Sequence, residues 1–211
     1  RLNVPIVIHS RNAWNGDMMM LPSFLTPEVE QVRDFVRHVA LDLVEETPGM
    51  ETFSRAKAIF DSLAARKIRY LPDPNIPFYR DDRVQFAEET LDAGSGDCDD
   101  LAVLYASLLE SLGIHTAFVE VRDPEKELAH VYLLFNSALT SESGYLISEN
   151  EKRYILREGP SGKMNIWIPV ETTLLESGFA VAWNEAALAY LQEAQLRNGL
   201  ADGWVKIIDH H

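Results

Sequence analysis

Gly94-Ser95-Gly96-Asp97-Cys98-Asp99-Asp100, followed by an apolar stripe of Leu101, Leu104, Tyr105, Leu108, Leu109 and Leu112 that stops at Gly113, is the stretch around which the rest of the chain organises. The stripe has the three-to-four-residue spacing of one helix face, and a glycine just past it is a common helix stop. It predicts a helix entered through a glycine-rich turn, with the single cysteine of the chain at its N-terminal end. Unpaired N–H groups and the helix dipole at that end favour a thiolate. The glycines allow a sharp turn and leave the sulfur accessible. The plainer alternative is a small buried apolar residue in a capped helix start. The Gly-rich approach and the N-terminal position weigh against it.

Upstream, the pattern is helical. Thr26-Pro27-Glu28 predicts a helix start, with a capping hydroxyl, proline in the first turn and an acid at the positive dipole end. Val29, Val32, Phe35, Val36, Val39 and Leu43 then follow at helical spacing. A second helix is expected from about Thr52, with Phe53, Ala56, Phe60, Leu63 and Ala64 on one face. Ile68-Arg69-Tyr70 is a short extended piece, and residues 72–77 are a Pro-rich loop, either a cleft wall or a connection. Residues 4–8 are expected to be extended. Met18, Met19 and Met20 cannot all face one way on a helix, so buried filler is preferred over a mobile lip on a groove.

Downstream, strand patterns dominate: 116–121, 129–135, a pair at 144–148 and 153–156 around Asn150, then 165–170. Residues 185–197 form an amphipathic helix pattern and 204–208 a last strand. Helices first and mostly antiparallel strands later indicate an α+β fold with segregated helices. The expected division is an N-terminal extended segment over 1–25 and one globular domain over 26–211.

Composition excludes several function classes. Thirty-three acidic against 19 basic side chains give a net charge of −14. That excess disfavours nucleic acid and anionic lipid as partners, because both need clustered Lys and Arg. No stretch approaches the roughly 18 apolar residues of a membrane-spanning helix, so no membrane insertion is expected. One cysteine rules out an intramolecular disulfide and a cysteine-rich zinc site. The chain starts at Arg1 without a signal-peptide pattern, so it is expected to be a piece of a longer protein. His210-His211 are either a native end or the beginning of a tag.

A nucleophilic cysteine needs a base, and the base needs an orienting group. His9, His210 and His211 lie near the termini, His38 falls off the apolar face of its helix, and His115 sits in a turn. His130 opens the strand His130-Val131-Tyr132-Leu133-Leu134-Phe135 and is the best-placed base, although a lone histidine there is more often structural. Glu171 ends the run Trp167-Ile168-Pro169-Val170 and could fix the His130 tautomer, or could simply be an exposed acid in a turn. Asp123 is the acid to consider next.

Gly96-Asp97-Cys98-Asp99-Asp100-Leu101-Ala102-Val103-Leu104, Leu108-Leu109-Glu110-Ser111-Leu112-Gly113-Ile114, Ala129-His130-Val131 and Trp167-Ile168-Pro169-Val170-Glu171-Thr172-Thr173 together resemble the bacterial transglutaminase-like (papain-like) cysteine enzymes. The resemblance spans residues 55–185. It implies a papain-like core, a nucleophile at a helix N-terminus packed on an antiparallel β-sheet, and acyl transfer on amides. Carried over, Cys98 matches the nucleophile and His130 the general base. Glu171 stands where the family usually has Asp, one methylene shorter. The expected activity is that of a cysteine peptidase or amidase working through an acyl-thioester. The alternatives are a protein transglutaminase or deamidase, or a catalytically silent papain-like binding module.

A protein or peptide is the expected substrate, and a bacterial, exported or periplasmic setting is the expected location. The backbone N–H of Cys98 is the first expected oxyanion donor. Gln85 is the nearest side-chain amide for the second, with Tyr79 as runner-up. No cofactor is expected. Asp97, Asp99 and Asp100 are the only weak candidates for Ca²⁺, and their commoner explanation is favourable charge at a helix start.

Overall fold

The structure, a computed structural model, describes residues 14, 16–42, 48–72, 83–125, 128–159 and 162–210. The elements in chain order are α1 (Glu30–Asp42), α2 (Glu51–Ala65), β1 (Arg69–Tyr70), α3 (Ala87–Ala93), β2 (Ser95–Gly96), α4 (Cys98–Glu110), β3 (Thr116–Asp123), β4 (Leu128–Thr140), α5 (Gly144–Ile147), β5 (Ile155–Glu158), β6 (Met164–Val170), α6 (Phe179–Ala189), α7 (Gly199–Asp202) and β7 (Val205–Asp209).

Five strands form one antiparallel sheet in the order β5-β6-β4-β3-β7. β4 shows why both faces of this sheet are covered. Successive side chains on a strand point to opposite faces. Val131, Leu133 and Phe135 enter the larger core, with Phe35 of α1, Phe60 of α2, and Leu104 and Leu108 of α4. Tyr132 and Leu134 enter a second core with Val119 and Val121 of β3. α6 serves both: Phe179, Ala182 and Trp183 belong to the first core, while Ala186 and the residues Tyr190 and Ala194 beyond its end close the second. The α+β class with helices on an antiparallel sheet is as expected from the sequence.

β1 and β2 form a separate two-stranded parallel ladder, with Arg69 opposite Ser95 and Tyr70 opposite Gly96. β2 runs directly into α4, so this ladder fixes the approach to Cys98. β1 also packs against the 3-10 segment Thr172–Ser177, which follows Glu171.

Several sequence expectations are corrected. α1 begins at Glu30, and Thr26 does not cap it. The Thr26 hydroxyl donates to Glu88 Oε2 (3.1 Å) and its N–H to Ser107 Oγ (3.1 Å), so tertiary partners take the groups a local cap would use. Residues 144–148 are not a strand. β4 runs on to Thr140 and pairs with β6, which itself takes β5 on its far side, and Gly144–Ile147 turns into a short helix. The last long helix starts at Phe179, not at 185: Phe179, Ala182, Trp183, Ala186 and Ala187 face the cores, and the stripe is masked in the sequence because the exposed Ala180 and Val181 are apolar too. It continues into a π-helical turn, Tyr190–Leu196. α3 had no sequence signal of its own. Residues 18–24 are not a free extension. Met18–Phe24 form a 3-10 turn whose Leu21 and Phe24 lie in the main core, with Met18 buried but Met19 and Met20 at 61% and 51% exposure. The expected extended piece at 4–8 lies outside the described residues.

Candidate active site

Asp97 builds the start of α4. Its Oδ1 accepts from the N–H of Asp99 (3.0 Å) and of Asp100 (3.1 Å), two of the N–H groups that no helix carbonyl can reach. Asp100 answers from the third position, where its Oδ2 accepts from the Asp97 N–H (3.3 Å). Gly96 is required for this closure: a Cβ there would stand 2.5 Å from Asp100 Cβ. Gly94 supplies the left-handed turn (φ 68°) that ends α3 and redirects the chain into β2.

This frame leaves Cys98 as the first residue of α4, half-buried against the main core. The N–H of Val131, the residue after His130, faces the sulfur and favours its charged form. Helix start and strand β4 thereby meet at the sulfur. The thiol donates to Asp99 Oδ1 at 3.3 Å. Burial pushes the Cys98 pKa far above the ordinary thiol value, and the negative charges of Asp99 and Asp97 push it further in the same direction. The Val131 N–H opposes this without overcoming it. A neutral resting thiol is the result, contrary to the thiolate that the helix start alone suggests.

His130 Nε2 lies 2.7 Å from Glu171 Oε2. The longer glutamate reaches the imidazole because Glu171 stands just past β6, beside β4 in the sheet. Its other oxygen, Oε1, accepts from the Thr173 N–H (3.1 Å) and hydroxyl (2.6 Å), so the carboxylate is held on both sides. Burial works to lower the His130 pKa, but the Glu171 hydrogen bond and charge, with the Asp99 charge, raise it overall. Burial likewise works to raise Glu171, and the bonds from His130 and Thr173 bring it below the usual carboxylate range. Asp99 thus acts electrostatically on both Cys98 and His130.

The remaining candidates fall elsewhere. Gln85 Nε2 is directed to Asp100 Oδ2 (2.5 Å) and Ser95 O (3.5 Å), and the Gln85 N–H to Asp100 Oδ1 (2.7 Å). Its amide hydrogens are committed to this clamp, so Gln85 braces the α4 start and is not turned to an oxyanion. Tyr79 lies outside the described residues. Asp123 is buried and engaged by Arg197, which removes it as a partner for His130. His38 is exposed, with Nδ1 2.6 Å from Asp34 O, and His115 is exposed.

The acidic set does not converge as a Ca²⁺ site would require. Ligand atoms of Asp97, Cys98 and Asp99 lie within 4.8 Å of one another, but Asp100 is turned to Gln85 and Asp97 to the helix N–H groups. Ca²⁺ takes six to eight oxygens, and two carboxylates with a thiol do not fit it. Gln85, whose clamp holds Asp100, is the structural role that sequence reasoning missed, and only its bonds to Asp100 across the α3 helix reveal it.

The family model described as the transglutaminase-like superfamily matches residues 37–207. The chain belongs to this superfamily. Searches of curated proteins and of solved structures returned no match. The matched span of this transglutaminase-like chain contains Cys98, His130 and Glu171 together with every strand of the sheet except the last two residues of β7. The superfamily includes cysteine-dependent acyl-transfer enzymes, and the order of the elements, helices and then antiparallel sheet, is consistent with its α+β core.

Proposed function

We propose that this transglutaminase-like domain is a cysteine peptidase or amidase, with Cys98 as nucleophile, His130 as general base and acid, and Glu171 as the group that orients His130. One observation carries the reading: the 2.7 Å contact of His130 Nε2 with Glu171, on a strand whose next residue, Val131, acts through its N–H on the Cys98 sulfur. In the reaction, the Cys98 proton passes to His130 and the sulfur attacks the amide carbonyl carbon. The oxyanion meets the Cys98 N–H, since the cap takes those of Asp97, Asp99 and Asp100. The tetrahedral species collapses, the C–N bond breaks, and the amine leaves with the proton from His130. Water, deprotonated by His130, then cleaves the acyl-thioester and restores the thiol. Glu171 keeps the imidazole in one tautomer and stabilises its charged form throughout. A primary amine in place of that water would make the same chain a transglutaminase.

A second reading has a specific observation in its favour. The neutral, Asp99-bonded thiol suits a binding module that has lost its chemistry. The two are separated by acid-quenching the protein with a casein digest and searching Cys98 for an acyl adduct by mass spectrometry. A parallel incubation with a dansyl-labelled primary amine scores transfer against hydrolysis. The adduct should form and should vanish in Cys98→Ala, whose stability should change by less than about 1 kcal/mol, since no large volume is removed. Absence of an adduct, with iodoacetamide labelling no faster than for an ordinary buried thiol, would establish the silent module.

A further inference from the structure

Beside the nucleophile turn runs a groove of about 380 Å³ lined by Lys67, Arg69, Tyr70, Leu71, Gly94 and Ser95. Its position follows from the ladder. Tyr70 lies opposite Gly96, and Ser95 stands three residues before Cys98, at most about 11 Å of chain. The other flank of β1 packs on the segment that follows Glu171, and Arg69 Nε lies 3.7 Å from Glu176 there. The groove therefore lies beside the two chain segments that deliver Cys98 and Glu171.

Its chemistry differs from that of the molecule as a whole. In a chain of net charge −14, the described residues that line the groove include two cationic side chains and no acidic one. Lys67, Arg69, Tyr70 and Leu71 are all exposed, Leu71 at 61%. An apolar pair flanked by two cations suits an extended peptide with an acidic side chain next to an apolar one. Glu176 is exposed and distant enough for a substrate carboxylate to displace it from Arg69.

We propose that this groove holds the substrate segment beside the scissile amide and selects a Glu or Asp side chain there through Lys67 and Arg69. The inference rests on the acyl-transfer reading for its reaction but not for its binding, and the test keeps the two apart. Cys98→Ala protein is titrated with three rhodamine-labelled heptapeptide pools, random except for one fixed Glu, Gln or Lys, and binding is followed by fluorescence anisotropy. The Glu pool should bind tighter than the Gln pool by about threefold or more, since each exposed charge pair is worth a few tenths to one kcal/mol, and the Lys pool weakest. Lys67→Asn/Arg69→Gln should erase the difference while leaving the melting temperature unchanged. Asn is chosen because Lys67 sits in the left-handed region (φ 62°). Equal binding of the Glu and Gln pools, binding of neither, or a preference that survives the double substitution would overturn the proposal. A Glu preference without an acyl adduct in the parent protein would keep the groove and remove the chemistry.

Discussion

At Cys98 the bond from the thiol to Asp99 Oδ1, at 3.3 Å, sets the number of protons in the resting site. The thiol is neutral, and His130 is raised toward its charged form by Glu171 and Asp99. Below the raised His130 value the pair holds one proton more than the proposed reaction can use, so activity should rise with pH as the coupled Cys98–His130 system releases it. Asp99→Asn removes a negative charge that raises both groups, so the acid limb of kcat/KM should move to lower pH. The profile should be the same with and without EDTA. Loss of activity on chelation would mean that the carboxylates hold a metal.

Glu171→Gln tests the other contact through stability. His130 has a raised pKa, so its contribution is complete below the ordinary imidazole value of 6.5 and is lost as pH rises through the folded value. Glu171 has a lowered pKa, so its contribution is complete above the ordinary 4.5 and is lost as pH falls through the folded value. Between about pH 4.5 and 6.5 both contribute, and there Glu171→Gln should cost most, about 2 kcal/mol for a hydrogen bond between charged groups. The penalty should shrink above neutrality. A pH-independent difference in urea midpoints would show that the two groups do not share charge in solution.

At the scale of elements, the start of α4 is the working part. The helix is held by its cap, by the β1–β2 ladder and by the Gln85–Asp100 clamp, all of which meet around Gly96. Gly96→Ala would drive a methyl to 2.5 Å from Asp100 Cβ. Both atoms belong to a closed turn that cannot yield cheaply, so the substitution should cost about 1–3 kcal/mol. If Cys98 is acylated as proposed, Gly96→Ala should also slow that acylation more than Gln85→Ala does, because it moves the turn that carries Cys98 itself. Equal melting temperatures for Gly96→Ala and the parent would show that the turn is looser than its contacts imply. The same stretch was the clearest part of the sequence, because a cap, a glycine turn and a helix stripe are all local signals. α3 and the α5 turn were not legible, since a short segment carries little periodicity and its partners decide its form.

For the whole molecule, the end of β3 near His130 is tied to the α6 extension through Arg197. Its guanidinium bonds Asp123 at the end of β3, Glu193 Oε2 at 2.5 Å and Glu125 Oε2 at 2.9 Å, and lies 4.8 Å from the Trp204 ring centre. The Asp123 side chain is fully buried and also accepts from the Glu125 N–H (3.0 Å), so removing Arg197 takes the guanidinium from a buried carboxylate. Arg197→Met should lower the melting temperature clearly, and adding Asp123→Leu should recover part of the loss, because the charge is then gone as well. Cys98 alkylation at a temperature where both variants are folded should match the parent. A double variant less stable than Arg197→Met alone would sink this account.

The sequence by itself determined the cysteine at a helix start, the histidine on a strand and the glutamate just past another strand, because each is announced by its own neighbours. It also determined the class of fold, since helical periodicity and then strand alternation are written along the chain. Only the tertiary structure decided that Glu171 reaches His130, that Gln85 is a brace, that Asp123 belongs to Arg197 and that Thr26 serves other partners than its helix. It also decided that Cys98 rests as a thiol. The physical reason is the same in each case. A side chain's hydrogen bonds and its desolvation depend on groups tens of residues away in sequence, and no local pattern records which of them the fold brings near.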